Sequence, residues 1–382
     1  MHFTAAIPLS LYIHLPWCLQ KCPYCDFNSH AVTTPPYRAY VDALLKDLEW
    51  ELPKVWGRPV RSIFIGGGTP SLFPDEEIAH LLSGVRARLP LGGGPEITLE
   101  ANPGAVDEGY FSGYRQAGVN RLSIGVQSLY DESLRKIGRI HTGDEAIRAI
   151  EVAQEVGFDR VNIDLMFGLP EQSIEQATED LRRVVAMGVG HLSWYQLTME
   201  PNTPFGHTPP ARLPDDDQLW EIQQEGQQLL QQEELIQYEI SAYARPQQQC
   251  RHNLNYWNFG DYLGIGAGAH SKLTSVVIGS VTRSTRHRNP QQYIFSSGTE
   301  SVLSSHSVVE PEQLPSEFMM NRLRRLEPLQ PDQFEQRTGC EWGVVAGAVE
   351  EGIGRGLLQW EERRLCVTVL GRNFLNDLLL LF

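Results

Sequence analysis

The chain has 382 residues, 41% apolar and 21% charged, which is the balance of a soluble globular protein with room for about two domains. Its 32 basic and 47 acidic residues give a net charge of −15, so no nucleic-acid partner is expected. No apolar run is long enough to span a bilayer, and the opening residues lack the pattern of a secretory signal, so a cytoplasmic location is expected.

Six short runs rich in β-branched and aromatic residues alternate with longer amphipathic segments. This alternation predicts six βα units with right-handed crossovers and a parallel sheet. Six units are two short of a complete barrel, so the expected fold is α/β, an incomplete (β/α)6 barrel with one open side. The predicted strands are Leu9–His14, Ser62–Gly66, Ile97–Glu100, Arg121–Val126, Arg160–Leu165 and His191–Gln196, and the predicted helices are Tyr37–Leu52, Asp75–Leu89, Asp107–Ala117, Asp144–Val156, Ile174–Met187 and Asp215–Glu234.

Changes in composition divide the rest of the chain. Residues 276–309 are rich in Ser, Thr and His and are expected to form loops or short strands. From about residue 311, helices and a small β-wing resemble a winged helix, whose expected role is packing. We predict a barrel domain over residues 1–240, a connecting segment over 241–310 and a C-terminal α+β domain over 311–382. The elements predicted in this last domain are helices Glu317–Leu326, Asp332–Thr338 and Asn373–Phe382, and a hairpin through Leu357–Val369.

Three of the six cysteines, Cys18, Cys22 and Cys25, have the spacing C-x3-C-x2-C. In a reducing compartment such crowding indicates metal binding rather than disulfides. Two sites fit these thiolates: a structural zinc ion closed by a fourth protein ligand, or an iron–sulfur cluster with one iron left open. The candidates for a fourth zinc ligand are His14, His30 and Cys250.

The position of the cysteine loop favours an active site. The loop follows the first predicted strand, and α/β folds carry their sites at the C-terminal ends of the strands. The glycine run before Thr69 matches neither a phosphate loop nor a dinucleotide fingerprint, so a small zwitterion is the expected ligand. The other unusual residues at these strand ends are Gly66, Gly67, Gly68, Pro70, Glu100, Gln127, Ser128, Asp164, Tyr195 and Gln196.

The cysteine spacing followed by GGGTP resembles the radical S-adenosylmethionine (SAM) superfamily. The motifs LYIHLPWCLQKCPYCDFNSH, FIGGGTPS, LEANPG, RLSIGVQS, IGRIHT and NIDLMFGLP extend the resemblance, along most of the chain, to the family of oxygen-independent coproporphyrinogen III oxidases. The resemblance implies that Cys18, Cys22 and Cys25 hold a [4Fe-4S] cluster whose fourth iron binds the amino and carboxylate groups of SAM. The positions implied for the cofactor pocket are Tyr12, Tyr24, Gly67, Gly68, Thr69, Glu100, Gln127, Arg139 and Asp164.

This family contains oxidases, which decarboxylate coproporphyrinogen III to protoporphyrinogen IX, and a heme chaperone branch, which binds heme and passes it to an acceptor. Phe27 stands where the oxidases carry a further cysteine, and residues 252–257 read HNLNYW, which resembles the H-N-x-x-Y-W pattern of the chaperones. We therefore expect a heme chaperone without catalytic residues, with the oxidase as the alternative. The heme-binding candidates are His252, Asn253, Tyr256 and Trp257, with His252 or Cys250 as the axial ligand.

The resemblance also implies an unidentified acceptor for the heme, with membrane-associated heme enzymes as clients and therefore peripheral contact with the inner membrane. The ending LNDLLLLF is expected to pack inside, with a homodimer or a membrane surface as alternatives. Two other classes of protein stay open: a structural zinc scaffold, which iron analysis distinguishes, and a radical SAM enzyme that modifies nucleic acid, which the acidic charge disfavours.

Overall fold

The computed structural model describes residues 2–4 and 6–382. The strands in this part of the chain are β1 (Leu9–Leu15), β2 (Trp17–Cys18), β3 (His30–Ala31), β4 (Val60–Gly67), β5 (Leu91–Ala101), β6 (Arg121–Gln127), β7 (Val161–Phe167), β8 (His191–Gln196), β9 (Ile236–Gln237), β10 (Ala242–Ala244), β11 (Asp261–Ile265), β12 (His270–Ser275), β13 (Ser280–Arg286), β14 (Leu303–Val308), β15 (Leu358–Glu361) and β16 (Arg364–Val367). The helices are α1 (Tyr37–Val55), α2 (Asp75–Arg88), α3 (Ala105–Ala117), α4 (Asp131–Lys136), α5 (Gly143–Glu155), α6 (Ile174–Ala186), α7 (Pro204–His207), α8 (Asp216–Gln232), α9 (Arg251–Trp257), α10 (Pro290–Ser296), α11 (Leu314–Arg322), α12 (Pro331–Thr338), α13 (Ala346–Gly354), α14 (Val369–Asn373) and α15 (Leu375–Leu379).

A single twelve-stranded sheet organises the first 308 residues, with the strand order β14-β13-β12-β11-β1-β4-β5-β6-β7-β8-β10-β9. The six strands from β1 and β4 to β8 pair in parallel, each with the next, as the six predicted βα units require. In this strand order β8 and β1 are not neighbours, so the barrel is incomplete. The predicted α/β fold class is confirmed.

The central strands are buried on both faces, which is why they appear in the sequence as nearly continuous apolar runs. The helices that cover them begin at well-marked positions. Thr142, Ser173 and Asp215 form capping boxes at the starts of α5, α6 and α8, satisfying backbone N–H groups that the first helical turn leaves unpaired. Local sequence signals therefore fix both the strands and the entry points of the helices.

Beyond β1 the sheet continues into β11, which runs parallel to β1, and then into antiparallel β12, β13 and β14. Much of the segment predicted as loops or short strands is thus a regular sheet extension. On β13, Ser284 and Arg286 are buried, while Arg283 and Thr285 point to the opposite face and are partly exposed. Arg286 is fixed by ion pairs to carboxylates of α1, so the extension has one anchored face and one open face.

The C-terminal residues form a smaller unit of helices around the hairpin β15–β16, with a second hydrophobic core that includes Phe318 and Phe334. Two details differ from the prediction. Helix α13 was not predicted, and the single helix expected over 373–382 is interrupted at Phe374, whose backbone leaves the helical region, so α14 and α15 are separate. The division at residues 240 and 310 stays a prediction. No helix in the described part of the chain is long and apolar enough to cross a membrane.

Candidate functional site

The cysteine loop leaves the sheet at the C-terminal end of β1 and is closed by its own small sheet. Strands β2 and β3 pair in parallel, and the backbone N–H of Val32 donates to the carbonyl of Cys18 at 3.2 Å. The loop is also joined to the glycine run after β4, because the N–H of Thr69 donates to the carbonyl of Trp17 at 2.7 Å. Backbone contacts therefore help to hold the loop in place.

The three thiols line one cavity of about 130 Å³. Thr69 Oγ1 donates to Cys18 Sγ at 3.5 Å, and Arg139 Nη1 donates to Cys22 Sγ at 3.8 Å. Cys25 Sγ lies 3.9 Å from Ser29 Oγ. Burial raises the pKa of the Cys18 and Cys25 thiols, so a bound cation or cluster is needed to hold them as thiolates at neutral pH. Three thiols facing one space, beside a fixed guanidinium, form a donor set that fits an iron–sulfur cluster.

Most of the predicted cofactor positions share this cavity with the thiols, but two do not. Tyr12 and Gly67 line a second, larger cavity on the other side of the strand ends, and Glu100 lines both cavities. The predicted residues around the smaller cavity are Tyr24, Gly68, Thr69, Glu100, Gln127, Arg139 and Asp164.

Asn102, which sequence reasoning missed, connects two of the predicted residues. Its Nδ2 donates to Thr69 Oγ1 at 2.9 Å, and its Oδ1 accepts from Arg139 Nη2 at 2.8 Å. Arg139 also donates to the carbonyl of Gly125 at 2.6 Å, while its Nε is buried without a partner. The guanidinium is therefore held rigidly beside Cys22 with one N–H group left for an anion such as a carboxylate. Asn102 is part of the LEANPG motif, which was the sequence signal that could have identified it.

The far wall of the small cavity is a polar cluster on β6, β7 and β8. Asp164 accepts from Asn162 Nδ2 at 2.8 Å and from Ser123 Oγ at 3.2 Å, and burial raises its pKa. Gln127 has a left-handed backbone, with φ of 70°, and its Oε1 accepts from the hydroxyl of Tyr195 at 2.9 Å. This wall offers fixed hydrogen-bonding groups to the hydroxyls of a polar ligand.

Gly68 is where the glycine run and the cysteine loop touch. A Cβ there would lie 2.5 Å from the Trp17 carbonyl oxygen and 2.9 Å from its nitrogen, and a backbone cannot move aside as a side chain can. We expect Gly68→Ala to displace the cysteine loop, to destabilise the protein by about 2 kcal/mol and to lower its iron content. Gly347→Ala is the control: nothing lies within 4 Å of that position on α13, so it is expected to stabilise slightly. Iron analysis and thermal unfolding measure both, and equal iron in the two variants would contradict the prediction.

Glu100 gives the site a pH dependence. Burial raises its pKa from 4.5 to about 8, with a smaller contribution from Asp164, although the N–H of Gly67 donates to it at 3.1 Å. Between these values the folded protein binds the proton more tightly than the unfolded chain, so stability falls as pH rises from 4.5 to 8. We expect Glu100→Gln in cluster-free protein to raise Tm at pH 8 and to change it little at pH 5. A shift in Tm that is the same at both pH values would argue against this assignment.

The second cavity has a volume of about 790 Å³, which is within the range of small-molecule sites. The predicted heme-binding residues on α9 all line it. Its other aromatic residues include Phe64 and Tyr262, and its far wall is built by the sheet extension. Sequence reasoning missed these lining residues: Phe64, Tyr262, His270, Arg283 and Arg288. These residues come together through strand pairing between distant segments, for which the sequence offered no local signal.

His252 lies on the cavity wall with one nitrogen anchored. Its Nδ1 is 3.2 Å from Ser62 Oγ, and its ring lies 5.1 Å from that of Phe64. Burial lowers its pKa to about 3, so the imidazole is neutral, which is the form that binds iron. Cys250, the alternative ligand, does not line the cavity: its thiol donates to Glu96 at 3.5 Å, and burial raises its pKa to about 12.

The residues considered as a fourth zinc ligand have other partners. His14 uses both ring nitrogens, at 3.0 Å from Tyr12 OH and 2.8 Å from the carbonyl oxygen of Asn28, and His30 Nε2 lies 3.2 Å from the carbonyl oxygen of Arg288. Among the described residues, no group of three His, Cys, Asp or Glu side chains is arranged to hold a metal ion. Because these side chains are bonded elsewhere, the small cavity lined by the three thiols is better suited to a cluster with an open iron than to a closed zinc site.

The C-terminal unit contacts two residues that line the large cavity. The guanidinium of Arg324 lies 5.5 Å from the ring centroid of Trp257, and Glu317 accepts from Arg283 at 2.7 Å. These contacts connect the small domain to both the aromatic and the basic walls of the cavity.

Comparison with known proteins agrees with this architecture. Residues 12–184 match the model of the radical SAM superfamily, and residues 309–374 match the HemN C-terminal domain. The fold and the cysteine loop thus define a radical SAM protein, a class that implies a [4Fe-4S] cluster and SAM. A solved structure, coproporphyrinogen III oxidase (HemN) from Escherichia coli, superposes with a TM-score of 0.81 at 25% identity, covering 98% of this chain and 90% of that one.

Curated relatives narrow the assignment. The heme chaperone HemW of Escherichia coli K12 is 51% identical over 98% of both chains. The heme chaperone HemW of Bacillus subtilis is 31% identical and covers 96% of this chain and 97% of its own length. The chain therefore belongs to the HemW family of radical SAM proteins.

Proposed function

We propose that this protein is a heme chaperone that binds heme in the large cavity and passes it to an acceptor protein. The observation that carries the proposal is that His252, Asn253, Tyr256 and Trp257 all line one cavity of about 790 Å³. Flat aromatic side chains suit a macrocycle, and a neutral imidazole suits its iron. The names of the curated relatives support the same function.

The smaller cavity is proposed to hold the cluster and SAM. Cys18, Cys22 and Cys25 are the proposed ligands of the cluster, and Arg139 is the proposed partner of the SAM carboxylate. The bound cluster supplies electron-transfer chemistry, while the surrounding side chains orient the ligands and exclude water. Tyr24, Gly68, Thr69, Gln127 and Asp164 are proposed to complete this pocket, and Tyr12, Gly67 and Glu100 to form its boundary with the heme cavity.

The alternative function is that of a coproporphyrinogen III oxidase, which the likeness to HemN favours. Phe27 weighs against it. Its side chain is 58% exposed and lines both cavities, at the position where the oxidases carry a further cysteine. A phenyl ring neither donates a proton nor binds iron, so a step that needs that thiol is unavailable.

A heme titration under anaerobic conditions tests the proposal. We expect a saturable Soret band at one heme per chain, and transfer of that heme to an apo-acceptor after mixing. In parallel, coproporphyrinogen III is supplied with SAM and a reductant. Absence of stoichiometric heme binding would refute the chaperone function, and repeated turnover to protoporphyrinogen IX would establish the oxidase instead.

Two associations of the protein are proposed. We propose that it meets a membrane-associated heme acceptor by peripheral contact at the inner membrane. A homodimer is the second proposed association. In the C-terminal segment Leu378 is buried, whereas Leu380 is 84% exposed, so the segment is only partly used for packing. Flotation with anionic vesicles and sedimentation analysis distinguish a membrane contact from a dimer.

A further inference from the structure

The large cavity is lined by both aromatic and cationic side chains. Phe64, Tyr256 and Trp257 are among the aromatic residues. The sheet extension and the segment after it contribute Arg283 and Arg288. A protein with a net charge of −15 thus presents guanidinium groups inside this cavity of about 790 Å³.

Arg288 has a fixed backbone and a free side chain. Its carbonyl oxygen accepts from Asn28 Nδ2 at 2.9 Å and lies 3.2 Å from His30 Nε2, so the cysteine loop holds this residue in place. Its side chain is exposed and makes no ion pair with the residues that the structure describes. A guanidinium without a carboxylate partner, on a residue whose backbone is fixed at the cavity, is available to an anionic ligand.

Among the described arginines that line the cavity, Arg288 is the one without a carboxylate partner. Arg286 is neutralised, because its guanidinium is buried against carboxylates of α1. The guanidinium of Arg283 donates to Glu317, but its Nε is buried without a partner. The acidic residues that line the cavity are Asp26, which forms no ion pair with the described residues, and Glu100, whose pKa of about 8 leaves it largely uncharged at pH 7.

His270 lines the same cavity as Arg283 and Arg288. It lies on β12 opposite Thr285, and Thr285 also lines the cavity. Burial is the largest cause of its lowered pKa, and the charges of Arg283, Arg288 and Arg286 add to it.

We propose that Arg288, assisted by Arg283, receives the propionate carboxylates of bound heme. The macrocycle then lies with its carboxylate edge toward Arg288 and packs against aromatic side chains of the same cavity. This inference rests on the proposed function and deepens it, because it gives the ligand one orientation and makes the free carboxylates a condition for tight binding.

The test compares two ligands on matched variants of the full-length protein. Heme and its dimethyl ester, in which both carboxylates are masked, are titrated against wild-type protein, Arg288→Gln and Arg288→Lys. Arg135→Gln is the control, because Arg135 is an exposed arginine on α4 outside the cavity and makes no ion pair with the described residues. We expect Arg288→Gln to weaken heme binding about fivefold and Arg288→Lys to restore part of it, as for a partly exposed charge pair.

The dimethyl ester separates the outcomes. In the wild-type protein, the dimethyl ester is expected to bind more weakly than heme. Its own affinity is expected to be the same in wild-type and Arg288→Gln protein. An equal loss for both ligands, or no loss for heme, would overturn the role of Arg288 while leaving heme binding intact. If wild-type protein bound neither ligand, the proposed function itself would fail.

Discussion

Replacing Cys18, Cys22 and Cys25 together by serine is expected to remove the iron–sulfur cluster, lowering iron from about four atoms per chain to nearly none. A serine hydroxyl is a hard, protonated donor at neutral pH, whereas cluster iron needs soft thiolates. The brown colour of anaerobic preparations and their labile sulfide should disappear with the iron. Metal analysis and absorption spectra of the anaerobically reconstituted protein measure the change.

The loss is expected without unfolding, because the loop does not depend on its thiols for its shape. Strands β2 and β3 close it by backbone pairing, and Thr69 holds it through the Trp17 carbonyl. Circular dichroism should therefore stay unchanged, and Tm should fall by a few degrees at most in cluster-free protein. This separates a missing ligand set from a collapsed fold.

The matched control is Cys340→Ser. Cys340 lies in the C-terminal unit, far along the chain from the loop, and its thiol donates to the Thr338 carbonyl at 3.7 Å. That variant should keep the iron content of the wild-type protein. If wild-type protein prepared without oxygen contained one zinc and no iron, or if the triple variant kept its iron, the assignment of these three cysteines would be wrong.

The sequence predicted the barrel well because its signals are local. Alternating short apolar runs and amphipathic segments mark each βα unit, and residues at the strand ends such as Glu100 and Asp164 meet at one edge whatever the exact strand lengths. The sheet extension β11–β14 was less visible, since its strands are polar on one face and their pairing connects distant segments. No local pattern shows that β11 lies beside β1.

The same long-range pairing explains why Tyr12 and Gly67, two of the predicted pocket residues, line the other cavity. Tyr12 alternates with the buried Leu11 and Ile13 on β1, so its side chain points away from the helices. Because β1 has β11 as its other neighbour, that side opens to the large cavity rather than to the thiols. The motif resemblance supplied the residue, but only the tertiary structure supplied the cavity that it faces.

His252→Ala is expected to weaken heme binding by tenfold to a hundredfold, or about 1.4 to 2.8 kcal/mol, while the cluster stays in place. His252 Nδ1 faces Ser62, and Nε2 has no hydrogen-bond partner among the described residues. When Nδ1–H donates to Ser62, the lone pair of Nε2 is available to iron in the cavity. Titration of ferric heme and iron analysis of the same preparation give both quantities.

The hydrogen bonds behind Ser62 provide a sharper version of this prediction. Asn255 Nδ2 donates to Ser10 Oγ at 2.9 Å, and Ser10 Oγ lies 2.7 Å from Ser62 Oγ, so two polar side chains fix the Ser62 hydroxyl beside His252 Nδ1. Ser62→Ala removes that hydroxyl but leaves the imidazole. We expect a smaller loss of affinity than in His252→Ala, with the same ligand-field spectrum as in wild-type protein.

His270→Ala is the comparison that identifies the ligand, because His270 is another imidazole lining the same cavity. If His252 binds iron, only His252→Ala should shift the Soret band and the spin state of ferric heme, and added imidazole should restore them. If the spectrum changes in His270→Ala and not in His252→Ala, iron lies beside His270 instead. Tyr256 and Trp257 would then be contacts of the macrocycle only and would not indicate where the iron lies. An axial ligand fixes the position of the iron, whereas aromatic packing fixes only the plane of the macrocycle.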